Sequence, residues 1–122
     1  MYNSLMEVKE RMDQYNLKEL LGEIVRRILS VSEPEQIILF GSYARGDASP
    51  DSDLDLLVIA KDIAFPRQES IRLRRALRGL LVPIDVIAAS TQQVCRHRNT
   101  IGFIYGPALK EGKVLYERQT GS

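Results

Sequence analysis

Residues 36–60 read QIILFGSYARGDASPDSDLDLLVIA, and this stretch decides the fold. Gln36 to Phe40 is a short, apolar, β-branched run that stops at Gly41, the pattern of a buried strand. Asp53 to Ala60 is a second strand, polar at its start and apolar at its end, with both faces largely hydrophobic as in a central strand covered on two sides. Between them, residues 42 to 52 are polar and contain Gly46 and Pro50, with room for one helical turn near the start.

Outward from this core, Leu17, Leu20, Leu21, Ile24, Val25, Ile28 and Leu29 follow the three-then-four spacing of one helical face. Lys18, Glu19, Glu23, Arg26 and Arg27 occupy the other side, and Ser30 to Pro34 ends the helix. Residues 3 to 14 offer a shorter helix with sparser apolar spacing. Downstream, residues 67 to 80 read as a helix with Ile71, Leu73, Ala76, Leu77 and Leu80 inward and five arginines interspersed. Val82 to Ala88 is a third strand, with Pro83 near its start where a missing amide donor is tolerated. One or two helices fall between Thr91 and Lys110, and Lys113 to Tyr116 closes as a short strand. The element order predicts an α/β (α+β) fold, a small mixed sheet of about four strands flanked by helices. Residues 1–118 form a single expected domain, and 119–122 an expected disordered tail.

Composition narrows the function classes. Seventeen Lys and Arg against 16 Asp and Glu give a net charge of +1, which favours neither general nucleic-acid binding nor an acidic tail. Cys95 is alone, so it makes no internal disulfide, and His97 is the one histidine, too few soft ligands for structural zinc. A reducing, cytoplasmic setting is the default expectation. The N-terminal stretch lacks the apolar run of a secretory signal, and nothing approaches the roughly 18 apolar residues of a membrane span.

Chemistry concentrates at Gly41-Ser42, then ten residues, then Asp53-Leu54-Asp55, with Asp85 thirty residues on. Residues two apart in a strand share a side, so Asp53 and Asp55 are expected to project together. If the strand around Asp85 pairs beside them, its carboxylate lies about 5 Å away. Three crowded carboxylates call for a cation, and an all-oxygen set suits Mg²⁺ or Mn²⁺ completed by water and phosphate oxygens. Gly41 lets a ligand approach the backbone, and Ser42 offers hydroxyl and amide to phosphate. Ser42 as a plain helix N-cap is the alternative. Metals clamping a triphosphate in this way align an attacking oxygen with the α-phosphate. Arg45 and Asp47 are read as contacting substrate or pairing with each other, and the arginines of 67–78, with Arg96 and Arg98, as a solvated face or a docking surface.

The run GSYARGDASPDSDLDLLV resembles the core motif of the DNA polymerase β-like nucleotidyltransferase superfamily, a Gly-Ser followed by Asp-x-Asp and a later strand Asp, most closely in its minimal, single-domain branch. Average residue usage produces Gly-Ser and Asp-x-Asp at this spacing in about one chain of this length in a thousand. The resemblance implies a nucleotidyltransferase fold, with Asp53, Asp55 and Asp85 catalytic and metal-holding and Gly41 and Ser42 nucleotide-binding. It further implies transfer of a nucleoside monophosphate, AMP from ATP, to a protein acceptor. Minimal proteins of this kind are often encoded beside a helical HEPN-family protein, as antitoxin to toxin. Two alternatives stand beside that reading: a catalytically silent antitoxin that binds its partner, and a transferase acting on a small molecule or RNA.

Overall fold

The computed structural model describes residues 17–119. The helix expected over residues 3–14 and the last three residues of the expected tail lie outside them. In chain order the elements are α1 (Leu17–Val31), β1 (Gln36–Phe40), α2 (Ser42–Arg45), β2 (Leu54–Ala60), α3 (Pro66–Ala76), β3 (Ile84–Ser90), α4 (Thr91–His97), α5 (Tyr105–Glu111) and β4 (Lys113–Glu117). The four strands form one mixed sheet in the order β3-β2-β1-β4. β1 pairs antiparallel with β2 and with β4, whereas β2 and β3 run parallel. A parallel neighbour requires a crossover, and α3 supplies it.

Side chains of β2 alternate between two cores, as its double-sided hydrophobicity requires. Leu54, Leu56 and Val58 pack with Ile24 and Ile28 of α1 and Leu73 and Leu77 of the α3 segment. Leu57 and Ile59 pack on the other side with Ile38, Ala89, Val94 of α4 and Ala108 of α5. Among the described residues no helix is long and apolar enough to cross a membrane.

Several boundaries differ from expectation. β2 starts at Leu54, because the Leu54 amide donates to the carbonyl of Pro83 (2.8 Å) at the point where β3 is about to begin, leaving Asp53 just outside the ladder. β3 covers 84–90 instead of 82–88: Pro83 precedes it, and Ser90 closes it as the N-cap of α4, with its Oγ accepting from the Gln93 amide and Gln93 Oε1 accepting from the Ser90 amide, both at 3.0 Å. α3 ends at Ala76, four residues short, since the chain turns through Gly79 at φ 87°. Ile71, expected inward, is 43% exposed, while Leu73 is fully buried.

The arginine-rich segment is not a uniform solvated face. Arg72 donates to the carbonyl of Val31 (2.6 Å) at the end of α1, and Arg27 of α1 donates to the carbonyl of Arg78 (2.8 Å) beyond the end of α3, so each helix satisfies exposed carbonyls of the other. Glu23 pairs with Arg26 and Arg27, which holds its carboxyl at a pKa of about 2. The crossover helix is pinned to the edge strand by Ser70, whose Oγ accepts from the buried Ala88 amide (2.9 Å) and donates to the Pro66 carbonyl (2.9 Å).

Ser70→Ala leaves the Ala88 amide without its acceptor and is expected to cost about 1–3 kcal/mol in urea denaturation. A loss under about 0.3 kcal/mol would show that the bridge carries no stability.

Candidate active site

Alternation along the sheet determines which residues meet. Asp55 lies on the same face as Leu57 and Ile59, and Asp85 on the same face as Ile87 and Ala89, toward α4 and α5. In register, Phe40 of β1 sits opposite Asp55 and Asp55 opposite Asp85, one row across three strands at one end of the sheet. Asp55 and Asp85 are thus cross-strand neighbours. Asp53, exposed and one residue before the ladder, acts on Asp55 through its charge.

Gly41 borders this row. Its φ of 77° and ψ of −157° belong to a region essentially reserved for glycine, and a Cβ there would overlap Oδ2 of Asp55. The missing side chain is what lets the chain pass over that carboxylate and enter α2. Gly41 itself is the N-cap of this single turn, with no side-chain cap, so Ser42 is the first helical residue and the capping reading for it is set aside. The Gly41 carbonyl accepts from the amides of Ala44 (3.1 Å) and Arg45 (3.0 Å). Arg45 pairs with Asp47 at 3.3 Å, both half-exposed.

Burial raises the pKa of Asp55, the charges of Asp85 and Asp53 raise it further, and Arg45 opposes them. Asp85 has a partner of its own: Nη2 of Arg74, from the last turn of α3, donates to its Oδ1 at 2.7 Å. Sequence periodicity gave Arg74 no special status. Its helix is docked by Ser70, one turn earlier, and that long-range contact aims it at β3. Among the described residues no three acidic, histidine or cysteine side chains are gathered closely enough to hold a metal ion as they stand. The donor set nevertheless fits a hard divalent cation: oxygen ligands, a carboxylate penalised by burial and like charge, and a backbone trimmed of its Cβ beside it.

A recess of about 480 Å³ opens from Gly41, walled by Phe40, Arg45, Phe103, Ile104 and Pro107. Phe103 stacks on His97 with ring centroids 4.4 Å apart and meets Tyr105 at 5.8 Å. Sequence spacing had no signal for this aromatic group, because its members come from α4, α5 and the turn between them.

Residues 17–102 match the model of the nucleotidyltransferase domain. A Methanocaldococcus jannaschii protein provisionally named a protein adenylyltransferase is 35% identical over 88 residues, 67% of this chain and 78% of that protein. Two further proteins of that organism carry the same provisional name, at 46% and 32% identity, and the chain spans 45% and 63% of their lengths. Among solved structures, a Sulfolobus solfataricus protein provisionally named a nucleotidyltransferase shares the fold with a TM-score of 0.62 and 24% identity, covering 89% of this chain and 87% of its own. A toxin-antitoxin complex crystallised with AMP-PNP matches with a TM-score of 0.57 and 24% identity, covering 81% of this chain and 74% of that one.

Two stability measurements follow from this geometry. Gly41→Ala is expected to destabilise the fold by about 2–4 kcal/mol in chemical denaturation, combining backbone strain with displacement of Asp55. Gly46→Ala, at φ 85° with open space around it, is expected to cost only about 1–2 kcal/mol; equal losses would remove the Asp55 contact from the account. Asp55 binds its proton more tightly folded than unfolded, so its contribution favours folding below the ordinary carboxylate pKa and is lost as pH rises through the raised folded value. Metal-free Asp55→Asn is therefore expected to melt above the wild type at pH 7, with the gap closing as pH falls through about 4. A gap independent of pH would refute the electrostatic cause.

Proposed function

Since the chain belongs to the nucleotidyltransferase domain family, we propose that it transfers AMP from ATP to a protein acceptor. The observation that carries this reading is the register itself: Asp55 beside Asp85, under the glycine that opens α2. The provisional names of its relatives favour adenylyl transfer to protein. A fold-level neighbour solved as a toxin-antitoxin complex with AMP-PNP makes a toxin-antitoxin setting, with ATP as substrate, the one to test. In this reading the acceptor is a HEPN-family partner, and the chain is its antitoxin.

Asp53 and Asp55 would hold the divalent cation, Mg²⁺ or Mn²⁺, with Asp85 contributing an oxygen as a third ligand. When bound, the cation supplies positive charge that aligns the attacking oxygen with the α-phosphorus and neutralises the departing pyrophosphate. Gly41 and Ser42 receive phosphate oxygens through backbone amides and the Ser42 hydroxyl. The recess beside Gly41 gives the nucleoside room against apolar walls. Asp85 orients the acceptor hydroxyl and takes up its proton on a carboxylate oxygen as the new P–O bond forms and the bond to pyrophosphate breaks.

Incubation with α-labelled ATP, Mg²⁺ and the candidate partner is expected to label the partner. Asp53→Ala or Asp55→Ala is expected to reduce labelling by about two orders of magnitude or more. Labelling that survives both changes would sink the assignment. A double variant that no longer transfers label yet still silences the partner in cells would place function in binding instead.

A further inference from the structure

The carboxylate expected to complete the site is already taken. Oδ1 of Asp85 accepts from Nη2 of Arg74 at 2.7 Å, with both side chains about half exposed. Two independent anchors set up this pair. Ser70, four residues before Arg74 and so on the same helical face, is hydrogen-bonded to the Ala88 amide, three residues after Asp85. The carbonyl of Arg78, just past the end of α3, is held by Arg27 at 2.8 Å. The first fixes helix against strand and the second fixes the end of the helix against α1, and between them the guanidinium is delivered to Asp85 by the fold.

We propose that Arg74 is a positioning residue that competes with the divalent cation for Asp85. The inference rests on the reading of Asp53 and Asp55 as the metal-holding pair. Three features of the molecule support competition over a purely structural link. Asp85 is the in-register neighbour of Asp55, so a cation held at Asp55 lies within reach of the Asp85 carboxylate. No three acidic, histidine or cysteine side chains are presently gathered for a metal among the described residues, although two of the aspartates are in register. The Arg74–Asp85 pair is half-exposed, and such pairs are weak enough for a doubly charged ion to displace. In the resting site Arg74 offsets part of the negative charge and withholds one ligand. Cation binding at Asp53 and Asp55 then draws Asp85 across, and the freed guanidinium faces an incoming anion, the triphosphate or an acidic stretch of the acceptor.

Mn²⁺ titration of the full chain, followed by electron paramagnetic resonance without nucleotide, tests this directly. Arg74→Met is expected to bind Mn²⁺ about two- to fivefold more tightly than wild type, the range a half-exposed pair supports. Arg74→Lys, which keeps the charge, is expected to fall between them. In an Asp85→Asn background the same Arg74→Met change is expected to leave Mn²⁺ affinity unaltered, an outcome that a role confined to holding α3 in place would not produce. Equal affinity in wild type and Arg74→Met, with Mn²⁺ bound in both, overturns the competition and leaves the metal reading standing. Absence of Mn²⁺ binding to wild type, with and without ATP, overturns the metal reading and the competition with it.

Discussion

Parallel pairing of β2 with β3 is the constraint on which the rest of this molecule depends. Had these strands run antiparallel, a tight turn could have joined them, and no helix would cross between. The parallel arrangement demands α3, and α3 brings Leu73 and Leu77 to one core and Arg74 to the sheet edge. It also fixes register, because Leu54, Leu56 and Leu57 are each fully buried and a one-residue slip would exchange the two faces of β2. With register fixed, Asp55 has no choice of neighbour. The same apolar contacts that stabilise the sheet hold two carboxylates side by side at its end.

That placement opposes stability. Asp55 is disfavoured as an anion by burial, by Asp85 and by Asp53, and Arg45 relieves it. A folded chain retains such an arrangement when the surrounding structure over-determines it, and here β1 and β3 flank the residue on both sides. Gly41 completes the enclosure by passing over Oδ2 with no side chain of its own. In the function proposed for this member of the nucleotidyltransferase domain family, a bound cation would offset that cost through the clustered oxygen ligands.

Much of this was legible in the sequence, and what was not has physical causes. β1 could be read because QIILF is apolar, β-branched and stopped by glycine; its bounds match the structure. The mixed four-strand sheet followed from element order alone. Asp53 was placed inside β2 because alternation extends smoothly back to it, yet the ladder begins at Leu54, where the Pro83 carbonyl provides the first bond. That limit depends on where another strand starts, which local pattern does not encode. Likewise Arg74 looked like one of five interchangeable arginines. Its pairing with Asp85 depends on how α3 docks through Ser70, a contact spanning 18 residues. The Phe103 group was invisible for the same reason, assembled from separate segments that share no spacing rule.

Under the proposed metal reading, the positive charges around the aspartates keep the site responsive. A buried lysine would neutralise them permanently and leave no room for a metal. Instead the compensation comes from Arg45 and Arg74, both about half exposed, one also paired with Asp47 and the other bound to a single oxygen of Asp85. Each is a long side chain in partial contact with water, so each is held by about 1 kcal/mol or less and moves at little cost. A divalent cation carries twice the charge in a smaller radius, and a bound triphosphate would give a displaced guanidinium somewhere to go. Weak arginine compensation would therefore do what strong compensation cannot: it eases the repulsion among the carboxylates while leaving them available to whatever binds them more tightly.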